Sequence, residues 1–239
     1  MSEKIVAICQ PNFLPWLGYF EMAERADVFV MLDDVQYVRR EWMNRNRIAC
    51  PSEQGWQWIV VQLEKHARCT AINEVKPVRD GLWQQKVFKQ LEYAYGKAPF
   101  FDQYYPSLQV LLSQPWENLA QLNIATIEWA YAALNMPLNL LRSSELGISG
   151  RKDTRLLAIC EHFGASRYLA NDGSKPYINP EKFTKHGINF DFQSYRPPAY
   201  TVGQGRFCPA LSIIDLLFWH GPRALGILLQ GRFSADAEV

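Results

Sequence analysis

Short apolar runs alternate with amphipathic stretches along much of this chain. Residues 4–9 (KIVAIC) and 28–32 (VFVML) are rich in β-branched side chains and almost continuously apolar, which is typical of strands buried on both faces. Between them, the apolar positions from Trp16 to Ala23 recur at helical spacing. The pattern predicts a β-loop-α-β unit, in which a right-handed crossover makes the two strands parallel.

The middle of the chain has a different pattern. Residues from about 83 to 134 are mostly helical by spacing and propensity. Because proline does not continue a helix interior, Pro99, Pro106 and Pro115 are expected to divide this stretch. We interpret it as a helical insertion within a single domain that spans residues 1–239.

The alternation of strands and helices resumes after the insertion. Strands are predicted at residues 138–144, 167–170 and 188–193, and a helix at residues 153–164. Two further helices follow and break at Gly221-Pro222. The alternation favours an α/β fold with a mainly parallel sheet. Ligands of such sheets bind at the carboxyl ends of the strands, so the loops that follow the strands are the expected site of chemistry.

Composition and charge narrow the class of protein. The chain has 239 residues, of which 48% are hydrophobic, and this is enough to bury a full core. Its 25 basic and 24 acidic residues create no net field toward nucleic acid or an anionic membrane. No apolar run approaches the ~20 residues of a membrane span, and the N-terminal segment lacks the apolar core of a signal peptide. We expect a cytoplasmic protein that acts on small molecules, binds no nucleic acid and does not insert into membranes.

The cysteines do not indicate metal or nucleophile chemistry. Five cysteines are scattered along the chain without a CxxC pair, and no standard metal-ligand spacing occurs. No serine or cysteine lies in a recognised nucleophile elbow. A metal site and a covalent mechanism therefore have no support in the pattern.

Two polar loops follow the first two predicted strands. Gln10 and Asn12 lie where a strand ends and a helix begins, so they suit a carboxylate or phosphate, or else they cap the turn. Asp33 and Asp34 follow the second strand, where at most one of two adjacent side chains faces the crevice. Such an acid is a candidate general base, Mg²⁺ ligand or ribose partner, with a solvated turn as the alternative. The candidate catalytic residues are Asp33, Asp34 and Gln10.

Polar, basic and aromatic residues near strand ends are the candidate substrate-binding groups. Arginine forks match phosphate or carboxylate and indoles stack on rings, which suits a nucleotide or nucleotide-sugar, although a solvated face is the alternative. Arg45 and Arg47 are two apart on an extended segment and are expected to point to one side, toward the pocket. The candidate binding residues are Asn12, Gln36, Tyr37, Arg40, Trp42, Asn44, Arg45, Arg47, Arg151, Lys152, Arg155, Asp172 and Lys175.

Five stretches of this chain resemble the WbqC-like family of bacterial proteins. They are QPNFLPWLGYF (10–20), ADVFVMLDDVQY (26–37), WMNRNRI (42–48), KDTRLLAICEHFGASRYLA (152–170) and LSIIDLLFWHGP (211–222). The resemblance implies a role in gene clusters for O-antigen and other surface polysaccharides, with transfer of glycine or a similar acyl group.

A fainter similarity runs to pantothenate synthetase and the nucleotidylyltransferases. In those proteins a first strand leads through a proline-containing loop into a helix that carries an HxGH motif. This chain has Trp16-Leu17-Gly18-Tyr19 at that place, so both histidines are missing. The similarity implies a nucleotidylyltransferase-like core fold and does not transfer the histidine chemistry.

Two functions follow as expectations. The first is an acyl or aminoacyl (glycyl-type) transferase that forms an amide on an amino sugar or similar amine. Its acid is activated as an adenylate by ATP with Mg²⁺ or supplied as a thioester acyl donor. The second is a non-catalytic nucleotide-sugar binding or assembly protein of the same pathway. The missing histidines favour the second, and the density of polar residues on strand-end loops favours the first.

Overall fold

A computed structural model describes residues 3–202 and 207–232 of the chain. The strands are β1 (Ile5–Cys9), β2 (Val28–Met31), β3 (Arg45–Ala49), β4 (Trp56–Val60), β5 (Leu140–Arg142), β6 (Arg167–Ala170) and β7 (Asn189–Phe192). The helices are α1 (Leu17–Arg25), α2 (Leu82–Tyr95), α3 (Phe101–Leu112), α4 (Leu119–Leu134), α5 (Lys152–His162), α6 (Pro180–Thr184), α7 (Ile213–His220) and α8 (Ala224–Leu229). None of the helices within these described ranges has the length and apolar character needed to cross a bilayer.

Five of the strands form one parallel sheet in the order β5-β2-β1-β6-β7. The chain starts at the centre with β1 and moves outward through β2 and β5. It then returns to the other side of β1 and continues through β6 to β7. At the centre, Val6 is in register with Val28 on one side and Tyr168 on the other. The expected α/β class with a mainly parallel sheet is confirmed.

Strand β1 is buried on both faces because its side chains alternate between two cores. Ala7 and Cys9 belong to the larger core, which α1, α4 and α7 cover together with α2, α3 and α8. Val6 and Ile8 belong to the smaller core, which α5 and α6 cover. This double burial explains the almost continuous apolar run of the strand.

Between β2 and β5 the chain leaves the sheet. It first forms an antiparallel hairpin, in which Arg45 of β3 is in register with Val60 of β4, and then the helices α2, α3 and α4. Pro99 and Pro115 lie between helices, as predicted, but Pro106 lies inside α3. A single proline removes one N–H donor, and α3 continues because its apolar face remains packed in the larger core.

Candidate functional site

The topological switch point of the sheet lies between β1 and β6. The chain leaves β1 toward β2 on one side, whereas it leaves β6 toward β7 on the other, so the loops after these strands diverge. A cleft with a volume of about 1010 Å³ opens at this point. Its walls come from the loop after β1, the start of α1, Val38, residues 41–43 and the loops after β6 and β7. This is the expected ligand position in an open parallel sheet.

Buried side chains from distant elements fix the loop after β1. Asn46 of β3 donates a 2.7 Å hydrogen bond to the carbonyl of Leu14, and the hydroxyl of Ser212 donates another of 2.7 Å to the same oxygen. Asn123 of α4 donates to the carbonyl of Pro11 at 2.8 Å. All three donors are at most 1% exposed. The insertion and the C-terminal helices therefore hold the backbone that forms the cleft wall.

Gln10 and Asn12 line the cleft and are half-buried. Among the described residues, none makes a hydrogen bond to either side-chain amide. Neither side chain therefore caps the turn within that part of the chain. Both amides remain available to a ligand as donors and acceptors.

Aromatic rings form much of the cleft wall. The rings of Trp16 and Tyr195 pack edge to face, with 5.7 Å between centroids. The indole of Trp16 lies directly over Gly18, where a Cβ would stand 2.4 Å from the ring. Only glycine therefore admits the ring in this position. Trp42 and Phe192 line other parts of the cleft, and such flat faces suit the stacking of a planar or sugar ring.

The loop after β6 brings opposite charges to the cleft. Asp172 and Lys175 both line it and form an ion pair with each other. The ammonium of Lys175 also lies 5.5 Å from the centre of the Phe192 ring. Deeper in the cleft, Asn171 donates to the thiol of Cys9 at 3.9 Å. The loop places charge at the mouth of the cleft and an amide below it.

A buried carboxylate lies behind the cleft. Glu21 of α1 is 0% exposed and accepts hydrogen bonds from Gln193 at 2.5 Å and from Arg232 at 2.9 Å. Gln193, which lines the cleft, also donates to the carbonyl of Gly18 at 2.6 Å. The arginine compensates the buried charge. The pair also fixes the glutamine side chain against the helix.

Asp33 and Asp34, the expected catalytic acids, lie in a structural clamp and not in the cleft lining. Asp33 is 3% exposed and accepts hydrogen bonds from the backbone and hydroxyl of Ser144 at 3.0 and 2.7 Å. Asp34 accepts two from Arg155, at 2.9 and 2.6 Å, and one from Ser143 at 2.5 Å. Burial raises the pKa of Asp34, but the bonds from Arg155 and Ser143 outweigh it and lower that pKa. Because β2 pairs with β5, the turn after β5 occupies both acids.

Gln36, Tyr37 and Asn44 hold the segment after β2 against the hairpin and the loop that follows it. Gln36 donates to the carbonyl of Arg68 at 3.0 Å. The buried Tyr37 donates to the side chain of Asn44 at 2.9 Å, and Asn44 donates to the carbonyl of Val61 at 3.0 Å. The loops after β1 and β2 are neighbours because their strands pair, but Val38 and residues 41–43, and not residues 33–37, line the cleft.

Arg45 and Arg47 point to one side of β3, but into a stack of indoles. The guanidinium carbon of Arg45 lies 4.1 Å from the ring centre of Trp58. That of Arg47 lies 4.3 Å from Trp56 and 5.2 Å from Trp42. Neither arginine lines the cleft, so the expectation that they face it is wrong. Cation–π attraction to the tryptophans explains their direction. Trp42 lines the cleft and connects it with the stack.

The remaining predicted basic residues lie elsewhere. Arg40, Arg151 and Lys152 are exposed and do not line the cleft. Arg155 is bound to Asp34 in the clamp. The start of α5 therefore lies near β2 and β5. The switch point lies between β1 and β6, on the other side of β2, so these basic residues are away from the cleft.

Sequence analysis missed the contribution of the loop after β7. Phe192, Gln193 and Tyr195 line the cleft, as do Trp16 and Tyr19 of the first β-α unit. The polar step after the strand, Gln193-Ser194, was the available signal, because the rule that directs attention to strand ends applies to β7 as well. In residues 3–202 and 207–232, no group of three or more His, Cys, Asp or Glu is placed to hold a metal ion.

Comparisons with known proteins agree on one family. The model of the WbqC-like protein family matches residues 10–227. A relative from Mycobacterium tuberculosis, the uncharacterized protein Rv1507c, is 34% identical over 227 residues, which cover 92% of this chain and 96% of the relative. No solved structure matches the chain.

Proposed function

This chain belongs to the WbqC-like protein family, and we propose that it is an amide-forming acyl or aminoacyl (glycyl-type) transferase whose substrates meet in the switch-point cleft. The acceptor is the amine of an amino sugar or of a similar compound carried on a nucleotide. The cleft is the observation that carries the proposal: it is large, lies at the carboxyl ends of β1 and β6, and combines aromatic walls with amide groups.

The strand order supports a nucleotide-bearing ligand. Counted within the parallel sheet alone, the strands run 3-2-1-4-5, which is the order of the doubly wound nucleotide-binding α/β sheet without its sixth strand. We extend the proposal to a nucleotidylyltransferase-like core. Trp16 and Tyr19 stand where that resemblance would require histidines, so adenylyl transfer through histidines is not part of it.

The charged groups of the cleft suit two tasks of such a transferase, which are binding the phosphates of the substrate and removing a proton from the acceptor amine. Lys175 provides a cation for the phosphates of a nucleotide-linked substrate. Glu41 and Asp172 provide carboxylates that attract the acceptor amine and accept the proton it loses as the new C–N bond forms and the donor's leaving group departs. Where ATP activates the acid, Mg²⁺ arrives with the phosphates, as is usual for this ion.

The test is binding followed by turnover. Calorimetry measures the affinity of the protein for UDP- and dTDP-linked amino sugars, ATP and acyl-CoA. Mass spectrometry then follows the amino sugar during incubation with glycine and ATP, or with a thioester donor. We expect a mass gain equal to one acyl or glycyl group. Asp172→Asn and Glu41→Gln should lower turnover by more than they weaken binding, and Glu53→Gln, which changes an exposed residue in the turn of the hairpin, serves as the matched control.

A second candidate is a non-catalytic nucleotide-sugar binding protein. It is favoured by the clamp, because the two acids that follow β2 are committed to Ser143, Ser144 and Arg155. Saturable binding of a nucleotide-linked sugar without product, under every donor condition, would decide for this candidate. Product formation that depends on Asp172 would decide against it.

A further inference from the structure

Charged and neutral groups are separated by depth in the cleft. The carboxamide side chains that line it are half-buried or buried: Gln10, Asn12, Asn171 and Gln193. The charged side chains that line it are all exposed: Glu41, Asp172, Lys175 and Arg196. The cleft therefore has a floor of carboxamides and a charged rim.

Two titratable groups on the floor, a thiol and a phenol, are uncharged near neutral pH. Burial raises the pKa of the Cys9 thiol to about 12. Burial likewise raises the pKa of the Tyr19 phenol well above its ordinary value. Both side chains line the cleft. A ligand group on the floor therefore meets dipoles and hydrogen-bonding groups, and no full charge.

The orientation of the Gln193 amide is fixed from behind. Its nitrogen has two hydrogens, and both are used, one by the carboxylate of Glu21 and one by the carbonyl of Gly18. A flipped amide would place its oxygen against two acceptors, so the observed orientation is strongly preferred. Gln193 as a whole is 6% exposed, and among the described residues none donates to its side-chain oxygen. This oxygen is a prepared acceptor at the cleft floor.

We propose that the ligand binds with a neutral, hydrogen-bonding ring on the carboxamide floor and with its phosphate groups at the rim beside Lys175. Gln193 selects a hydrogen-bond donor, an N–H or O–H group, on that ring. This inference rests on the proposed function only in taking the cleft as the substrate site.

The free-energy cost of desolvation decides which end of the ligand lies on the floor. A phosphate moved onto the floor would lose its water without gaining a cation, which is costly for an ionised group. At the rim it stays hydrated and meets the ammonium of Lys175. A sugar or base ring also loses water on the floor, but the free-energy cost is low, because amides replace its hydrogen bonds to water and Trp16 provides a stacking face.

The test uses the two parts of the ligand separately. Uridine and N-acetylglucosamine are the neutral ring probes, and inorganic pyrophosphate is the anionic probe. NMR of the unmodified protein follows the side-chain amide signal of Gln193 during titration with each probe. At least one neutral probe should shift this signal, and the one that does so identifies the ring as base or sugar. Pyrophosphate should leave the signal in place.

Variants provide a crossed control. Gln193→Met should weaken binding of the active neutral probe by about two- to twelvefold, since a hydrogen bond contributes roughly 0.5–1.5 kcal/mol, and should leave pyrophosphate affinity unchanged. Lys175→Met should weaken pyrophosphate binding and spare the neutral probe. Lys185→Met is the control. Like Lys175, Lys185 is exposed and pairs with an acid on its own helical turn, but it lies outside the cleft, so its replacement should change neither pyrophosphate binding nor binding of the neutral probe.

Two results would overturn the proposal. One is a shift of the Gln193 amide signal by pyrophosphate, and the other is the absence of any shift with both neutral probes. If Gln193 had only a structural role, Gln193→Met would weaken binding of the neutral probe and of pyrophosphate together. Measuring both probes on both variants detects this outcome. The NMR titration contains no acyl donor, so it tests the ligand's orientation independently of catalysis. If the Gln193 signal shifts as expected but the turnover assay yields no product, the transferase proposal is refuted and the proposed orientation of the ligand stands.

Discussion

Replacement of Arg155 by methionine should destabilise the protein without altering the cleft. Arg155 makes two hydrogen bonds to Asp34, and the side chains of the pair are 13% and 27% exposed. Hydrogen bonds to charged groups contribute about 1.5–3 kcal/mol, and partial exposure favours the lower half of that range. We expect a loss of ~2 kcal/mol, which corresponds to ~4–8 °C in Tm for a chain of this size.

The pH dependence of the same pair has a definite sign. The pKa of Asp34 is lowered in the folded protein, since the bonds from Arg155 and Ser143 outweigh the effect of burial. The contribution is therefore present above the unfolded pKa of ~3.9 and is lost as the pH falls through the folded pKa. Arg155→Met should lose less stability than the unmodified protein over this acidic range.

Urea unfolding of Arg155→Met, Asp34→Asn and the double variant measures the coupling between the two residues. Arg151→Met is the matched control, because Arg151 is exposed and lies just before α5, and its loss should change stability by less than ~0.5 kcal/mol. If Arg155→Met kept its Tm but lost turnover or ligand binding, the structural role of the clamp would be refuted. Asp34 would then return to the list of catalytic candidates.

Three further variants test other parts of the structure. Burial raises the pKa of Asp215 to about 6, although a 2.7 Å hydrogen bond from Tyr200 lowers it in part. Because the folded protein holds this proton more tightly than the unfolded chain, the free energy of unfolding should fall by up to ~3 kcal/mol as the pH rises from ~4 to about 6. Asp215→Asn should remove this slope in urea unfolding at a series of pH values; equal slopes would contradict the assignment. Arg47→Ala should cost ~1–2 kcal/mol of stability by removing the guanidinium from its indoles, and an unchanged urea midpoint would argue against the stack. Gly18→Ala should displace the Trp16 ring, whose atoms would stand 2.4 Å from the new methyl, and near-UV circular dichroism should change together with ligand affinity.

The fold class could be predicted because the central strands are buried on both faces. Residues 5–9 and 28–32 carry apolar side chains at consecutive positions, and few environments other than a covered parallel sheet require that. The hairpin was less visible, since Arg45 and Arg47 give β3 a polar pattern. Their burial against indoles depends on Trp56 and Trp58 of the partner strand, which local spacing does not encode.

The candidate site could be predicted only where it follows a strand end directly. Gln10, Asn12 and the loop from Asn171 line the cleft, and all three come straight after β1 or β6. Asp33 follows β2 in the same way, yet it lies beside the turn after β5. Strand order decides which strand ends meet at the switch point, and the order of a sheet is set by long-range pairing that periodicity does not reveal.

The separation of β2 and β5 along the chain has a consequence for folding during synthesis. The two strands are hydrogen-bonded neighbours, but residues 32–139 lie between them. At ribosomal rates of ~5–20 residues per second, the edge of β2 stays unpaired for roughly ten seconds after it leaves the ribosome. The hairpin and α2 to α4 emerge in that interval and can pack on α1 through the larger core. The hairpin and α2 to α4, which hold the cleft wall in place, are thus also the first elements that can pack on β1, α1 and β2 before the other three strands of the sheet are synthesised.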